Sequence, residues 1–127
     1  MEILLDTHAL LWFMDGDKNL PTSARETIQN TDNKIYVSIA SVWEIAIKLS
    51  IGKLTLKKSI ENFLTILDEN GFILLEVNTK HIKKVAELPF IHRDPFDRML
   101  VSQAMVENMS IMTIDSNITK YGVHIIW

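Results

Sequence analysis

Four acids in this 127-residue chain, Asp6, Glu44, Asp97 and Asp115, have positions that suggest chemistry. Asp6 follows the apolar run from Glu2 to Leu5, and Asp115 follows Ile111 to Ile114, so both lie directly beyond segments that read as buried strands. Glu44 and Asp97 stand within the first two turns of segments that read as helices, one starting at Ile39 and one opening at Asp94. In an open parallel sheet the strands end, and the following helices begin, at one edge, so this spacing predicts that the four carboxylates converge. Alone, each acid also fits a structural role: Asp97 as a first-turn helix charge, Glu44 as a solvated helix residue, Asp115 in an Asx-turn, Asp6 as a strand-end cap. The shared edge is what joins them. Two carboxylates about 4 Å apart repel by about 4 kcal/mol at an effective dielectric near 20, so such a cluster needs protons or cations at neutral pH. Oxygen ligands favour Mg²⁺ or Mn²⁺, and the reaction they support is metal-assisted phosphodiester hydrolysis by an activated water.

The elements that must position these acids are legible in outline. Strands are predicted over Glu2 to Leu5, Asn33 to Ser38, Phe72 to Val77, Ile111 to Ile114 and Val123 to Trp127. Helices are predicted from Pro21 to Gln29, Ile39 to Ser50, Ser59 to Glu69 and Thr79 to Leu88, with a last one opening at Asp94-Pro95-Phe96-Asp97. In that last helix Phe96, Met99, Leu100, Val101 and Ala104 are candidates to face the core. Asp15 to Asn19 and Gly52 to Lys58 carry no clear pattern. Strands alternating with helices, apolar on both faces, predict a single α/β domain over residues 1–127, a three-layer α/β/α sandwich around a mainly parallel sheet.

Composition narrows the function classes. With 0 Cys there is no disulfide framework, thiolate nucleophile or cysteine-bound zinc. No apolar run approaches the roughly 18 residues of a membrane span, and the N-terminal residues do not read as a secretion signal, so a cytoplasmic protein with no membrane partner is expected. There are 13 basic against 16 acidic side chains, a net charge of -3. Setting aside Asp6, Glu44, Asp94, Asp97 and Asp115 leaves 13 against 11, a surface that need not repel a phosphate chain.

The stretches Ile3-Leu4-Leu5-Asp6-Thr7-His8-Ala9-Leu10-Leu11-Trp12 and Val37-Ser38-Ile39-Ala40-Ser41-Val42-Trp43-Glu44-Ile45-Ala46-Ile47-Lys48 resemble the PIN-domain ribonucleases. His92-Arg93-Asp94-Pro95-Phe96-Asp97-Arg98-Met99-Leu100 and Thr113-Ile114-Asp115-Ser116-Asn117 are similar to the VapC-like toxin branch of that family. The resemblance spans essentially the whole chain. It implies a PIN-like α/β/α sandwich, Mg²⁺- or Mn²⁺-dependent cleavage of RNA, and a cognate VapB-like antitoxin as partner. Position by position, Asp6, Glu44, Asp97 and Asp115 match the family's catalytic, metal-binding acids, and Asp94 matches a further acid of this branch. Asp94 equally fits as the N-cap of its helix. Ile118 stands where many relatives carry an aromatic residue, which reads as a packing change. Pairing into homodimers, and an antitoxin tail across the acidic cleft, are further implications of the resemblance.

Thr113 and Ser41 are secondary candidates, as hydroxyls at the same edge that could orient carboxylates or waters. Arg93 and Arg98 flank the acids and are candidates for contact with RNA phosphate, Arg98 being equally a structural partner of Asp97. Lys48, Lys53, Lys57 and Lys58 could track an RNA backbone or form a solvated face. The four histidines show no paired metal spacing, so none is assigned as a ligand. Two alternatives stand beside the RNA endonuclease: a non-catalytic PIN-like domain that binds RNA or a partner, and a phosphoacceptor signalling domain. The latter lacks an acidic pair at Leu5-Asp6 and a Lys after its last strand.

Overall fold

The computed structural model describes all of residues 1–127. Five strands, β1 Glu2–Leu5, β2 Lys34–Ser38, β3 Ile73–Leu75, β4 Ser110–Met112 and β5 Ile125–Ile126, form one sheet in the order β3-β2-β1-β4-β5. Every pairing is parallel. In flavodoxin-like phosphoacceptor folds β1 lies between β2 and β3, whereas here it lies between β2 and β4, which disfavours that alternative.

Helices cover both faces, as a parallel sheet requires. Side chains alternate along β1, so Ile3 and Leu5 face one layer and Leu4 the other. The first layer joins α1 Thr7–Asp15, α2 Thr22–Gln29, α3 Ile39–Ser50 and α4 Ile60–Glu69 through Leu10, Ile28, Ile45, Phe63 and Leu67. The second sets α6 Pro95–Glu107 on Leu4 and Ile111 through Leu100, Val101 and Ala104, with Ile118 of the short α7 Ser116–Thr119 beside them. Helix α5 Thr79–Glu87 packs along α6. No helix is long and apolar enough to cross a membrane.

Four departures from the sequence pattern bear on the site. Helix α1 begins directly after Asp6 and ends at Gly16, whose φ of 64° is the left-handed conformation that glycine adopts without penalty. Strand β4 stops at Met112, so Thr113 and Ile114 are a connector, and Asp115 caps α7 instead of directly following a strand. Strand β3 shortens to Ile73–Leu75 and β5 to Ile125–Ile126, because both end where parallel pairing runs out. In α6, Phe96 and Met99 do not join the core; they line a surface trough.

Candidate active site

The first acid is fixed by the end of β1. The Asp6 amide donates to Met112 O (3.1 Å), and its carboxylate caps α1, with Oδ1 accepting from the Ala9 amide at 2.7 Å. The other oxygen, Oδ2, accepts from the hydroxyl of buried Thr113, 2.5 Å away. That hydroxyl oxygen also accepts from the Asp115 amide at 2.9 Å, so Thr113 ties Asp6 to Asp115 across the β1–β4 pairing. Asp115 Oδ1 in turn caps α7 by accepting from the Asn117 amide (2.8 Å).

Asp97 enters from the first turn of α6. Asp94 is the N-cap, its Oδ1 accepting from the amides of Phe96 (2.8 Å) and Asp97 (3.0 Å), and Pro95 follows at the position whose missing N–H costs a helix nothing. Of the two readings open for Asp94, the cap is therefore realised. It remains part of the cluster as well: potential ligand atoms of His92, Asp94 and Asp97 all lie within 4.8 Å of one another.

Glu44 stands behind Asp6 on α3. The Thr7 hydroxyl lies 2.7 Å from Glu44 Oε1 and 3.1 Å from Ser41 Oγ. One hydroxyl carries one proton and the carboxylate is the stronger acceptor, so Thr7 donates to Glu44 and Ser41 donates to Thr7. The second Glu44 oxygen, Oε2, pairs with Lys48 Nζ at 2.9 Å. The sequence pattern singles out Ser41 and Thr113, and the position of Thr7 next to Asp6 is the signal that would have added it.

Electrostatics register the convergence. Burial pushes the Asp6 carboxyl above the usual carboxylate range; hydrogen bonds from Thr113 and Ala9 and the charge on His8 oppose the rise, and Asp115 adds to it. Asp97 is pushed from an ordinary 3.8 up to about 6, mainly by burial; the His92 hydrogen bond and charge pull it down, while Asp94 and Asp115 push it up. Asp6, Asp94, Asp97 and Asp115 are therefore close enough to share one field, and Glu44 joins them through Thr7.

The arginines part company with the acids. Arg98 makes no ion pair with Asp97: Nη1 donates to Pro89 O (3.1 Å) and to the Tyr121 hydroxyl (3.0 Å), Nη2 donates to Val85 O (3.2 Å), and the guanidinium stacks over Phe90. These bonds hold the segment between α5 and α6. Arg93 lies with Arg98 on an apolar trough of about 720 Å³ between α3, α5 and α6, among Trp43 (63% exposed), Ile82 and Phe90.

One residue was missed by sequence reasoning. The His92 ring lies 2.9 Å from Asp97 through Nε2 and Oδ2, and its backbone amide donates to Tyr121 Oη at 3.0 Å. Because His92 reaches Asp97 from a loop, no helical spacing announces it. Its neighbour Asp94, two residues on, was the signal available.

The donor set fits a hard divalent cation: carboxylate oxygens from three elements, no sulfur, and one imidazole at the margin. Burial is the leading cause of the raised Asp6 and Asp97 carboxyls and the neighbouring acids add to it, so a cation held among them would favour their charged forms.

Comparison with known proteins places this arrangement. A model of the PIN domain family matches residues 3–123. No curated protein matches the chain in sequence. Among solved structures, a chain of VapBC2 from Rickettsia felis, bound to a DNA fragment from its promoter, superposes with a TM-score of 0.74 at 16% identity, covering 99% of this chain and 98% of that one. A chain of VapBC-1 from nontypeable Haemophilus influenzae gives 0.71 at 16% identity, covering 99% and 97%. A chain of a toxin-antitoxin complex from Klebsiella pneumoniae gives 0.68 at 12% identity, covering 98% and 96%. At these identities the likeness speaks to the fold, and the family match adds to it: the chain belongs to the PIN domain family.

Proposed function

We propose that this chain is a metal-dependent endoribonuclease acting as the toxin of a VapBC-like toxin–antitoxin pair. The observation that carries this reading is the convergence of Asp6, Asp97 and Asp115, with Glu44 behind them, at one sheet edge of a PIN-family chain. Asp6, Asp97, Asp115 and Glu44 would hold Mg²⁺ or Mn²⁺. When bound, the ion supplies a polarised water for attack on phosphorus and neutralises charge on the phosphoryl oxygens.

The chain's own residues hold the carboxylates in place. Thr113 directs one oxygen of Asp6 by a hydrogen bond, and Ala9 holds the other. Thr7 fixes Glu44 by a hydrogen bond to Oε1. His92 steadies Asp97 from the loop side. Positioning of this kind matters because displacement of a reacting group by 1 Å costs about 10²-fold in rate.

The same reading brings a cognate VapB-like antitoxin, and pairing of two copies, as partners in the cytoplasm. It is supported by the toxin–antitoxin complex among the structural relatives and by the exposed apolar trough around Trp43 and Phe90, a surface that a soluble monomer seldom leaves open. The test is cleavage of a mixed pool of structured RNAs by purified protein in Mg²⁺, Mn²⁺ or EDTA, beside Asp6→Asn prepared identically. Cleavage that needs the metal and is lost in the variant is expected. Folded, antitoxin-free protein that binds RNA and cuts none under any metal would replace this reading with the non-catalytic one.

A further inference from the structure

A cluster of carboxylates repels the substrate assigned to it, because RNA brings a negative charge at every phosphate. A site of this kind gains from a cation of its own, poised beside the acids and open to solvent. Neither arginine that flanks the acids in sequence pairs with one of them. Arg98 spends its guanidinium on Val85 O, Pro89 O and Tyr121, and Arg93 sits on the apolar trough.

Lys48 has the required placement. Of the chain's 13 lysine and arginine side chains, it is the one that pairs with an acid. The pairing is asymmetric: Glu44 is buried, its side chain 9% exposed, while the Lys48 side chain is 38% exposed. The buried partner therefore anchors an ammonium group that water, or an incoming ligand, can reach. An ammonium has three N–H donors, and a single bond to Glu44 Oε2 leaves donors for a phosphate oxygen. Glu44 is held from its other side by Thr7, whose own backbone follows Asp6, so the anchored ammonium belongs to the same edge as the acids.

We propose that Lys48 is the substrate-contacting cation of this site, a phosphate-binding lysine stored on Glu44 in the free protein. This assignment rests on the ribonuclease reading above and adds the residue that receives the RNA backbone. It gives Glu44 a second task, as the anchor of that lysine. It also separates Lys48 from Lys53, Lys57 and Lys58, none of which pairs with an acid.

The test compares wild type, Lys48→Met and Lys48→Arg in steady-state cleavage of a labelled single-stranded RNA with Mn²⁺ over a KCl series. Loss of one phosphate contact raises KM about tenfold with kcat within about twofold, and flattens the slope of log kcat/KM against log salt by about 0.7. Lys48→Arg recovers most of the salt slope. A second arm reads binding alone, by fluorescence anisotropy of the same RNA in EDTA. Glu44→Gln, which releases the ammonium, binds more tightly than wild type, and adding Lys48→Met cancels that gain. If Lys48→Met instead lowers kcat and keeps the wild-type salt slope, Lys48 only orients Glu44 and the assignment is overturned. A Glu44→Gln gain that survives loss of Lys48 overturns it too. Wild type that neither binds nor cuts RNA would refute the ribonuclease reading itself, a result distinct from either of these.

Discussion

Replacing Asp97 by Asn should stabilise the metal-free protein at neutral pH, although it removes a group from the centre of the proposed site. The folded protein holds the Asp97 carboxyl at about 6 against an ordinary 3.8, with burial as the leading cause. At about 1.36 kcal/mol per pH unit, this gap makes the ionised side chain about 3 kcal/mol less favourable in the folded protein than in the unfolded chain. Asn is close in shape to the neutral acid and avoids that cost. The sign follows from proton counting. Between 3.8 and about 6 the folded protein keeps a proton that the unfolded chain has released, so stability falls as pH rises through this window. Wild type and Asp97→Asn should therefore differ little near pH 4 and diverge to about 3 kcal/mol at pH 7, with the variant the more stable. The assay is urea unfolding in EDTA at several pH values, and the pH 7 gap corresponds to a Tm difference of about 10 °C. Mn²⁺ should then raise wild type toward the variant, because a ligand at 100 times its Kd stabilises by about 2.7 kcal/mol. An Asn variant no more stable than wild type at pH 7, or one with the wild-type pH dependence, would refute the claim that Asp97 is held under repulsion and burial.

Substitutions at three further positions test other contacts. Thr113→Val leaves buried Asp6 Oδ2 and the Asp115 amide without their shared partner, costing about 1–3 kcal/mol in urea unfolding, whereas Thr113→Ser keeps most of the stability; equal losses in both would show that the hydroxyl is not the cause. Phe63→Ala, which empties a fully buried position between α4 and the sheet, costs about 3–5 kcal/mol by the same measurement, and a loss below about 1 kcal/mol would mean that this layer collapses around the gap. Asn108 ends α6 with φ at 56°, so Asn108→Gly should hold or raise Tm while Asn108→Val loses about 1–2 kcal/mol; the reverse order would contradict the cap.

Much of this architecture is legible in the sequence because the carriers are local. Ile3 to Leu5 and Ile35 to Val37 are short apolar runs that can only be buried, and the cap at Asp94 with Pro95 behind it announces α6. What escapes is set by contacts between distant segments. Nothing in the chain around Ser110–Met112 says that pairing stops there, since β4 ends where β1 and β5 end beside it. Arg98 looks like a partner for the acid next to it, yet its guanidinium is drawn to carbonyls at Val85 and Pro89 by the packing of α5 on α6. His92 reaches Asp97 only because Tyr121 holds its backbone from the far end of the chain. Phe96 and Met99 fit a core stripe by spacing but face the trough, a distinction that periodicity cannot make on a helix whose other face is already filled by Leu100 and Ala104.

The link from Asp6 to Asp115 through Thr113 spans 107 residues between its first acid and the hydroxyl that orients it. β1 precedes its sheet partners in the chain yet lies in the middle of the sheet, and its second neighbour, β4, is synthesised only after β2 and β3. Chains grow from the N-terminus at about 5–20 residues per second, so the early segments wait several seconds for the residues that complete the acidic edge. A polypeptide cut short anywhere before Thr113 has Asp6 but neither the hydroxyl that directs it nor the acid beyond. For an enzyme proposed to cut RNA, a copy that ends before Thr113 lacks part of the acidic edge on which that activity would depend.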